Sequence, residues 1–410
     1  MRSRIALVAT AVLLGGLLVY ATRPNAGPTA EIPAPTATAT PSAIGSPTVA
    51  ASPSPLPSPP VEVNTIEVKA HVVSVPRDFR YVVTGSRLLV LDLGAGTTIE
   101  AASFTSARTE PGFPRADVVA SENGSSVLLT VYATQQEAGA YLLTPETGRA
   151  SAIIQGALVR AALSRDGRRF AVGRNDRDPA LTGLWVGTTS GGPMRRLIAD
   201  DPQYSGSPPL PYGFSPSGNL LSFGLANGES GAHAGIVSFS SEQGTADRGS
   251  GGWAIKGSDA ILLGPSSGAE FVSDDELFVW SSRTMIGGQT VAYTYKIAAK
   301  TTHELFRPTG DVTIANAAWA PVARGFALGE RPMCCGASLA LTVRTIAEDG
   351  TVRQLGEWSV IDMWWSGSGS AAKLYGILGL DDSTGSVVEM IANKAVMQFC
   401  WRGGAPGSCT

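Results

Sequence analysis

A five-residue frame recurs along this chain: an apolar residue, then Ser, any residue, a small polar residue and Gly. It reads Ala120-Ser121-Glu122-Asn123-Gly124, Leu163-Ser164-Arg165-Asp166-Gly167, Phe214-Ser215-Pro216-Ser217-Gly218 and Trp365-Ser366-Gly367-Ser368-Gly369. Degraded copies stand at Val75-Pro76-Arg77-Asp78, Val272-Ser273-Asp274-Asp275 and Trp319-Ala320-Pro321. Seven copies, 43 to 58 residues apart, restrict the chain to a repeat architecture in which each unit buries its apolar surface against its neighbours.

A short apolar run follows each copy: 80–83, 126–132, 169–172, 220–225, 276–280, 325–328 and 373–378. These runs are rich in Val, Leu, Phe and Tyr and too short for a stable helix, so they predict strands. A second strand follows and ends in a turn, as in Ala140-Tyr141-Leu142-Leu143 before Pro145-Glu146-Thr147-Gly148, or 341–346 before Glu348-Asp349-Gly350. Gly in such turns supplies the positive backbone angle that a tight hairpin needs. A third strand leaves the turn (194–198, 351–355), and another precedes the frame (116–120), giving four strands per unit. The spacing matches a four-stranded propeller blade. The expectation is an all-β, seven-bladed propeller over residues 61–402; six or eight blades also fit, because the first and sixth frames are degraded. A pair of β-sandwiches would not require one motif at constant spacing. The widest interval, Ser215 to Ser273, holds the Gly-rich stretch 248–257, read as a loop insertion.

Ser164-Arg165-Asp166-Gly167-Arg168-Arg169-Phe170-Ala171-Val172, followed by Leu184-Trp185-Val186 and Arg195-Arg196-Leu197, resembles the repeat of TolB-like or WD40-like propeller proteins. Phe214 to Leu221 is similar to the same repeat. The resemblance covers most of residues 66–402, although two or three blades carry it well and none has the Gly-His and Trp-Asp pairs of the ordinary WD40 repeat. It implies a propeller with a role in protein or ligand contacts, and it carries no catalytic residues.

Arg2 and Arg4 precede an uncharged apolar run from Ile5 to Tyr20, the pattern of an export signal. Residues 1–21 therefore read as a signal anchor or, with Val19-Tyr20-Ala21 as a cleavage site, a signal peptide. Residues 22–60, dominated by Pro, Ala, Thr and Ser, read as a disordered linker that cannot bury enough surface to fold. Both alternatives place the propeller outside the cytoplasm, tethered to the cell membrane or secreted. A net charge of −3 with 16% charged residues leaves no footprint for nucleic acid.

All four cysteines, Cys334, Cys335, Cys400 and Cys409, fall late in the chain. Outside the cytoplasm an even count points to disulfides. Cys400 and Cys409 bracket 401–408, a flexible loop that a bridge between them would close on itself; the alternative is two bridges tying the tail 403–410 to the sixth blade. No Cys-x-x-Cys or nearby His suggests zinc.

The three histidines, His71, His233 and His303, fall in three different predicted blades, so no catalytic triad is legible. Asp176-Arg177-Asp178 and Asp381-Asp382 do not fit a calcium loop. No cofactor is implied. The eight tryptophans mostly occupy strand positions and read as blade core. The sequence therefore predicts a non-catalytic binding module that presents loops (226–234, 248–260, 282–290, 329–338) to a protein, peptide or glycan of the cell envelope. His233 and Trp253 are the candidate ligand-facing residues. The alternative is an exported enzyme acting on a sugar or peptide at the central channel.

Overall fold

The computed structural model describes residues 66–400, apart from the segments 108–112, 135–136, 201–207, 228–230, 250–251, 283–288, 321–324, 334–339, 368–371 and 380–383. The expected signal segment, linker and tail, with Cys334, Cys335 and Cys409, lie outside the described residues, as do Asp381 and Asp382. Among the described residues no helix is long and apolar enough to cross a membrane.

Seven sheets, antiparallel except at one pairing in the third, form seven blades. Blade one contains β1 (Ile66–Ala70), β2 (Phe79–Thr84), β3 (Arg87–Asp92) and β4 (Thr97–Ser106). Blade two has β5 (Arg115–Ala120), β6 (Val127–Tyr132), β7 (Ala138–Thr144) and β8 (Arg149–Gly156). Blade three opens with β9 (Leu158–Leu163), β10 (Arg169–Arg174), β11 (Gly183–Thr188) and β12 (Arg195–Ala199). Blade four holds β13 (Leu210–Phe214), β14 (Leu220–Asn227) and β15 (Gly231–Ser238), and after an excursion through β16 (Gly244–Gly249) and β17 (Gly252–Lys256) it is completed by β18 (Ile261–Ser266). Blade five is β19 (Gly268–Ser273), β20 (Glu276–Ser281), β21 (Val291–Lys296) and β22 (Thr301–Phe306). Blade six is β23 (Val312–Ala320), β24 (Gly325–Pro332), β25 (Leu341–Ile346) and β26 (Val352–Trp358). Blade seven is β27 (Val360–Ser366), β28 (Lys373–Gly379), β29 (Thr384–Glu389) and β30 (Lys394–Cys400).

The ring explains why the second strands are apolar on both faces. Every residue of β6 is buried. Val127, Leu129 and Val131 pack on blade one, whereas Leu128 and Tyr132 pack on blade three. Period-two alternation sends neighbours to opposite faces, and each face meets another blade. The buried residues accordingly divide into seven clusters, one at each junction of adjacent blades. The seventh closes the ring by packing Val82, Leu89 and Leu91 of blade one on Trp364, Tyr375 and Phe399 of blade seven. Between blades five and six, Phe278 lies 4.9 Å from Phe326 and 5.3 Å from Trp319, ring centre to ring centre.

The frame is the turn between the first and second strands of a blade. In the first three intact copies the Ser Oγ accepts the N–H five residues on: Ser126 to Ser121 (3.0 Å), Arg169 to Ser164 (2.9 Å) and Leu220 to Ser215 (3.2 Å). The frame Gly donates its N–H to the Ser carbonyl at 2.8–2.9 Å, with φ of 71–73°, a conformation that Gly adopts without a Cβ penalty. Adjacent turns also hold each other. The Glu122 N–H donates to the Arg165 carbonyl (2.8 Å) and Arg169 Nη1 to the Gly218 carbonyl (2.6 Å). The Ser217 N–H donates to Asp274 Oδ1 (2.9 Å), which holds that carboxyl below its ordinary value. Ser366 Oγ donates to Asp78 Oδ1 (2.7 Å), joining the last turn to the first.

Two features correct the sequence reading. The stretch read as a loop insertion, 248–257, is largely strand, residues 248–249 ending β16 and 252–256 forming β17. It belongs to the β16–β17 hairpin, and β16 pairs parallel to β12, widening blade three to six strands. Trp253 and Ile255 alternate toward the core shared by blades three and four, and Lys256 pairs with Asp247 across the hairpin. The sheets of a propeller diverge outward, and this hairpin fills the widening gap between two of them. In blade one, secondly, the strand ahead of the degraded frame does not pair with β2. That strand, β1, lies at the opposite end of the sheet, next to β4.

Candidate functional site

Propeller function concentrates at the axial channel and the loops around its ends, because the blades themselves are packed on both faces. The channel wall is formed by the first strands of blades two to seven, β5, β9, β13, β19, β23 and β27. Each runs toward the ring of frame turns, so its early residues lie at the opposite mouth.

Three acids stand on these strands, and each is engaged. Asp117 Oδ2 lies 2.9 Å from the Tyr132 hydroxyl. Burial, and then the neighbouring Asp117, push that phenol upward. Asp362 is paired with Arg80 of β2, whose guanidinium also stacks 4.8 Å from the centre of the Trp364 ring. Glu270 Oε2 accepts the Trp319 backbone N–H (3.2 Å). Burial raises the Glu270 carboxyl, and the Trp319 N–H, Arg165 and Arg80 oppose that rise. Arg165, from the turn of blade three, passes blade four and lies 3.5 Å from the Phe271 carbonyl of blade five. Arg165 of blade three and Arg80 of blade one thus both act on Glu270 of blade five, and Arg80 also pairs with Asp362 of blade seven. At the opposite mouth two apolar side chains on wall strands are open to solvent, Val159 at 39% and Ile361 at 56%.

The structure places the sequence-derived candidates elsewhere. His233 sits on β15, the third strand of blade four, opposite Leu225 and Pro265, and burial depresses its imidazole. Trp253 is on the β16–β17 hairpin, half-buried against the core shared by blades three and four. His303 lies exposed on the outermost strand of blade five, and His71 lies 3.4 Å from Glu100. No histidine is on a wall strand. Asp176 is tied to the buried Arg174 at 2.9 Å rather than left in solvent. Among the described residues no group of three or more His, Cys, Asp or Glu is arranged to hold a metal. Cys400 ends β30, buried and disulfide-bonded. The three other cysteines lie outside the described residues.

Sequence reasoning missed Arg80, Arg165, Glu270 and Asp362. The available signal was a charged residue three or four positions before the frame Ser, as at Asp117, Arg160, Glu270 and Asp362, in strands that are otherwise apolar. A rim cleft between blades one and two, lined by Ile66, Glu67, Val68, Tyr141, Ala150 and Ala152, was likewise invisible in the sequence.

No family model and no curated protein matches the chain. Solved structures do. A prolyl endopeptidase superposes with a TM-score of 0.50 at 14% identity, over 81% of this chain and 49% of that one. The putative TolB from Agrobacterium tumefaciens gives 0.42 at 13% identity, over 64% and 89%. TolB from Acinetobacter baumannii gives 0.42 at 14% identity, over 81% and 79%. TolB and other propeller proteins are thus among the structural neighbours of this chain, and at these identities the likeness shows the propeller fold and nothing narrower; the count of seven blades comes from the chain's own sheets.

Proposed function

We propose that this chain is a non-catalytic binding module of the cell envelope, held outside the cytoplasm by its N-terminal segment, whose channel and surrounding loops receive a protein, peptide or glycan. One observation carries the reading. Among the described residues every acid on the wall strands is tied to a hydroxyl, an arginine or a backbone N–H, and no histidine stands on those strands, so the described wall offers no general acid–base pair. The solvent-open Val159 and Ile361 at the opposite mouth suit contact rather than proton transfer. The Arg-flanked apolar run at 5–20 and the disulfide at Cys400 favour an oxidising compartment outside the cytoplasm.

The test is calorimetric titration of the purified full chain with envelope glycan fragments and peptides, with product analysis on the same samples. Saturable binding without product, weakened by Ile361→Asp, is the expected result. Turnover abolished by Glu270→Gln or Asp362→Asn would establish an enzyme and end the binding reading.

A further inference from the structure

A second group of charged side chains stands on the wall strands of blades two and three, toward the mouth away from the frame turns. β5 opens with Arg115, whose guanidinium carbon lies 5.3 Å from the centre of the Phe113 ring and 5.1 Å from that of Tyr132. On β9, the guanidinium carbon of Arg160 lies 5.3 Å from the centre of the Tyr212 ring of β13. Tyr132 ends β6 and is buried. Its hydroxyl lies 2.9 Å from both Asp117 Oδ2 and the Val159 carbonyl, sharing one proton between them. Arg115 and Arg160 both oppose the rise that burial imposes on this phenol, so the two guanidiniums act on one hydroxyl from neighbouring blades.

A β-bulge sets the arrangement. Leu158 pairs with Arg174 and Arg160 with Gly173, which makes Val159 the extra residue of β9. A bulge leaves its extra residue out of the ladder and re-aims it. The Val159 carbonyl is thereby turned to Tyr132, and its side chain is left open to solvent beside Arg160. Stacking on a ring engages the face of a guanidinium and leaves the N–H donors at its edge. Arg115 and Arg160 are exposed, and among the described residues neither is held in an ion pair. Two donor forks, steadied by aromatic rings, therefore flank an exposed apolar side chain.

We propose that Arg115 and Arg160 receive the terminal carboxylate of a peptide whose last side chain is apolar and rests on Val159. The proposal rests on the binding reading above and names the chemistry of the ligand. A planar guanidinium fork matches a carboxylate with two parallel hydrogen bonds, and two cations beside one acid, Asp117, give the niche the complementary sign. A peptide end fits better than an acidic sugar. A sugar ring docks on an open aromatic face, but Tyr132 is buried and the rings of Phe113 and Tyr212 carry guanidiniums.

The probe is N-acetyl-Ala-Val with a free carboxyl terminus, titrated into the purified full chain and followed by broadening of the peptide methyl signals in NMR spectra. The same peptide amidated at its terminus and a galacturonate disaccharide serve as comparisons. The acid peptide binds, and amidation weakens it about tenfold or more, as loss of hydrogen bonds to a charged group requires. Arg160→Gln and Arg115→Gln each weaken it similarly, and Arg160→Lys, which keeps the charge without the fork, weakens it less. Tm is recorded for every variant, and Arg160→Lys carries the test if a Gln variant does not fold. Equal binding of acid and amide, no binding of either, or indifference to both arginine substitutions would overturn the proposal. So would binding of the disaccharide in place of the peptide, which would assign the niche to an acidic glycan. Envelope fragments whose binding is weakened by Ile361→Asp but unchanged by the arginine substitutions would keep the binding function and remove only this niche.

Discussion

The frame glycines allow a paired test of why the repeat exists. Gly167 and Gly218 have nearly the same backbone, φ 71° and 73°, so Ala at either position meets the same left-handed penalty of about 1–2 kcal/mol. Their surroundings differ. A Cβ on Gly167 would lie 2.7 Å from Ser126 Cβ and 2.8 Å from its Oγ, whereas on Gly218 the nearest atoms are Ser164 Cβ at 3.5 Å and Arg169 Cδ at 3.7 Å. Gly167→Ala therefore adds an overpacking cost of about 1–3 kcal/mol that Gly218→Ala escapes. Unfolding entropy of about 2.1 cal/mol/K per residue, over roughly 350 residues, makes 1 kcal/mol worth about 1.4 °C in Tm. Gly218→Ala should then lower Tm by about 1.5–3 °C and Gly167→Ala by about 3–7 °C, measured by differential scanning calorimetry on the full chain. Equal losses would refute the claim that adjacent frame turns are packed against each other, and a neutral Gly218→Ala would refute the backbone argument.

Other consequences can be measured in the same way. Below the ordinary Glu value of 4.5, Glu270 is protonated in both folded and unfolded chains; above it the folded protein resists ionisation, so this group lowers stability as pH rises toward its raised value. Glu270→Gln, which keeps an acceptor for Trp319, should raise Tm relative to wild type at pH 8, with the gap closing by about pH 4; a gap that widens on acidification would be the wrong sign. Arg80→Gln and Asp362→Asn, whose side chains are more than one-third exposed, should show a coupling of only about 0.5–1 kcal/mol in a double-mutant cycle, and strict additivity would remove the pair from ring closure. Trp253→Ala should cost about 2 kcal/mol and raise amide exchange in 244–256 before the rest of blade three, whereas unchanged exchange there would contradict its packing on the shared core.

The frame was legible because its Ser, Gly and flanking apolar residues act within five positions of one another, through bonds that repeat from copy to copy. Strands such as Lys373–Gly379 were legible because both of their faces are buried, which leaves an unbroken apolar run. The β16–β17 hairpin was not, because its glycines imitate a loop and its partner, β12, lies more than forty residues upstream and pairs in parallel. The channel charges were hidden for a different reason. Arg80, Arg165, Glu270 and Asp362 span nearly 300 residues of sequence, and only closure of the ring brings them within reach of one another. His233 and Trp253 were chosen from loop composition, and loop composition does not report which side chains come together.

The junction between blades seven and one has a kinetic meaning. Six of the seven inter-blade cores join segments adjacent in the chain, so each can form as its own two blades form. The seventh, with the Ser366–Asp78 bond and the Arg80–Asp362 pair, joins residues separated by more than 280 positions. Its loop-closure entropy is the largest in the molecule and is recovered only once the intervening blades are in place. Folding should thus end, and unfolding begin, at this seam, which makes the first and last blades the ones through which a protease or a chaperone meets the chain.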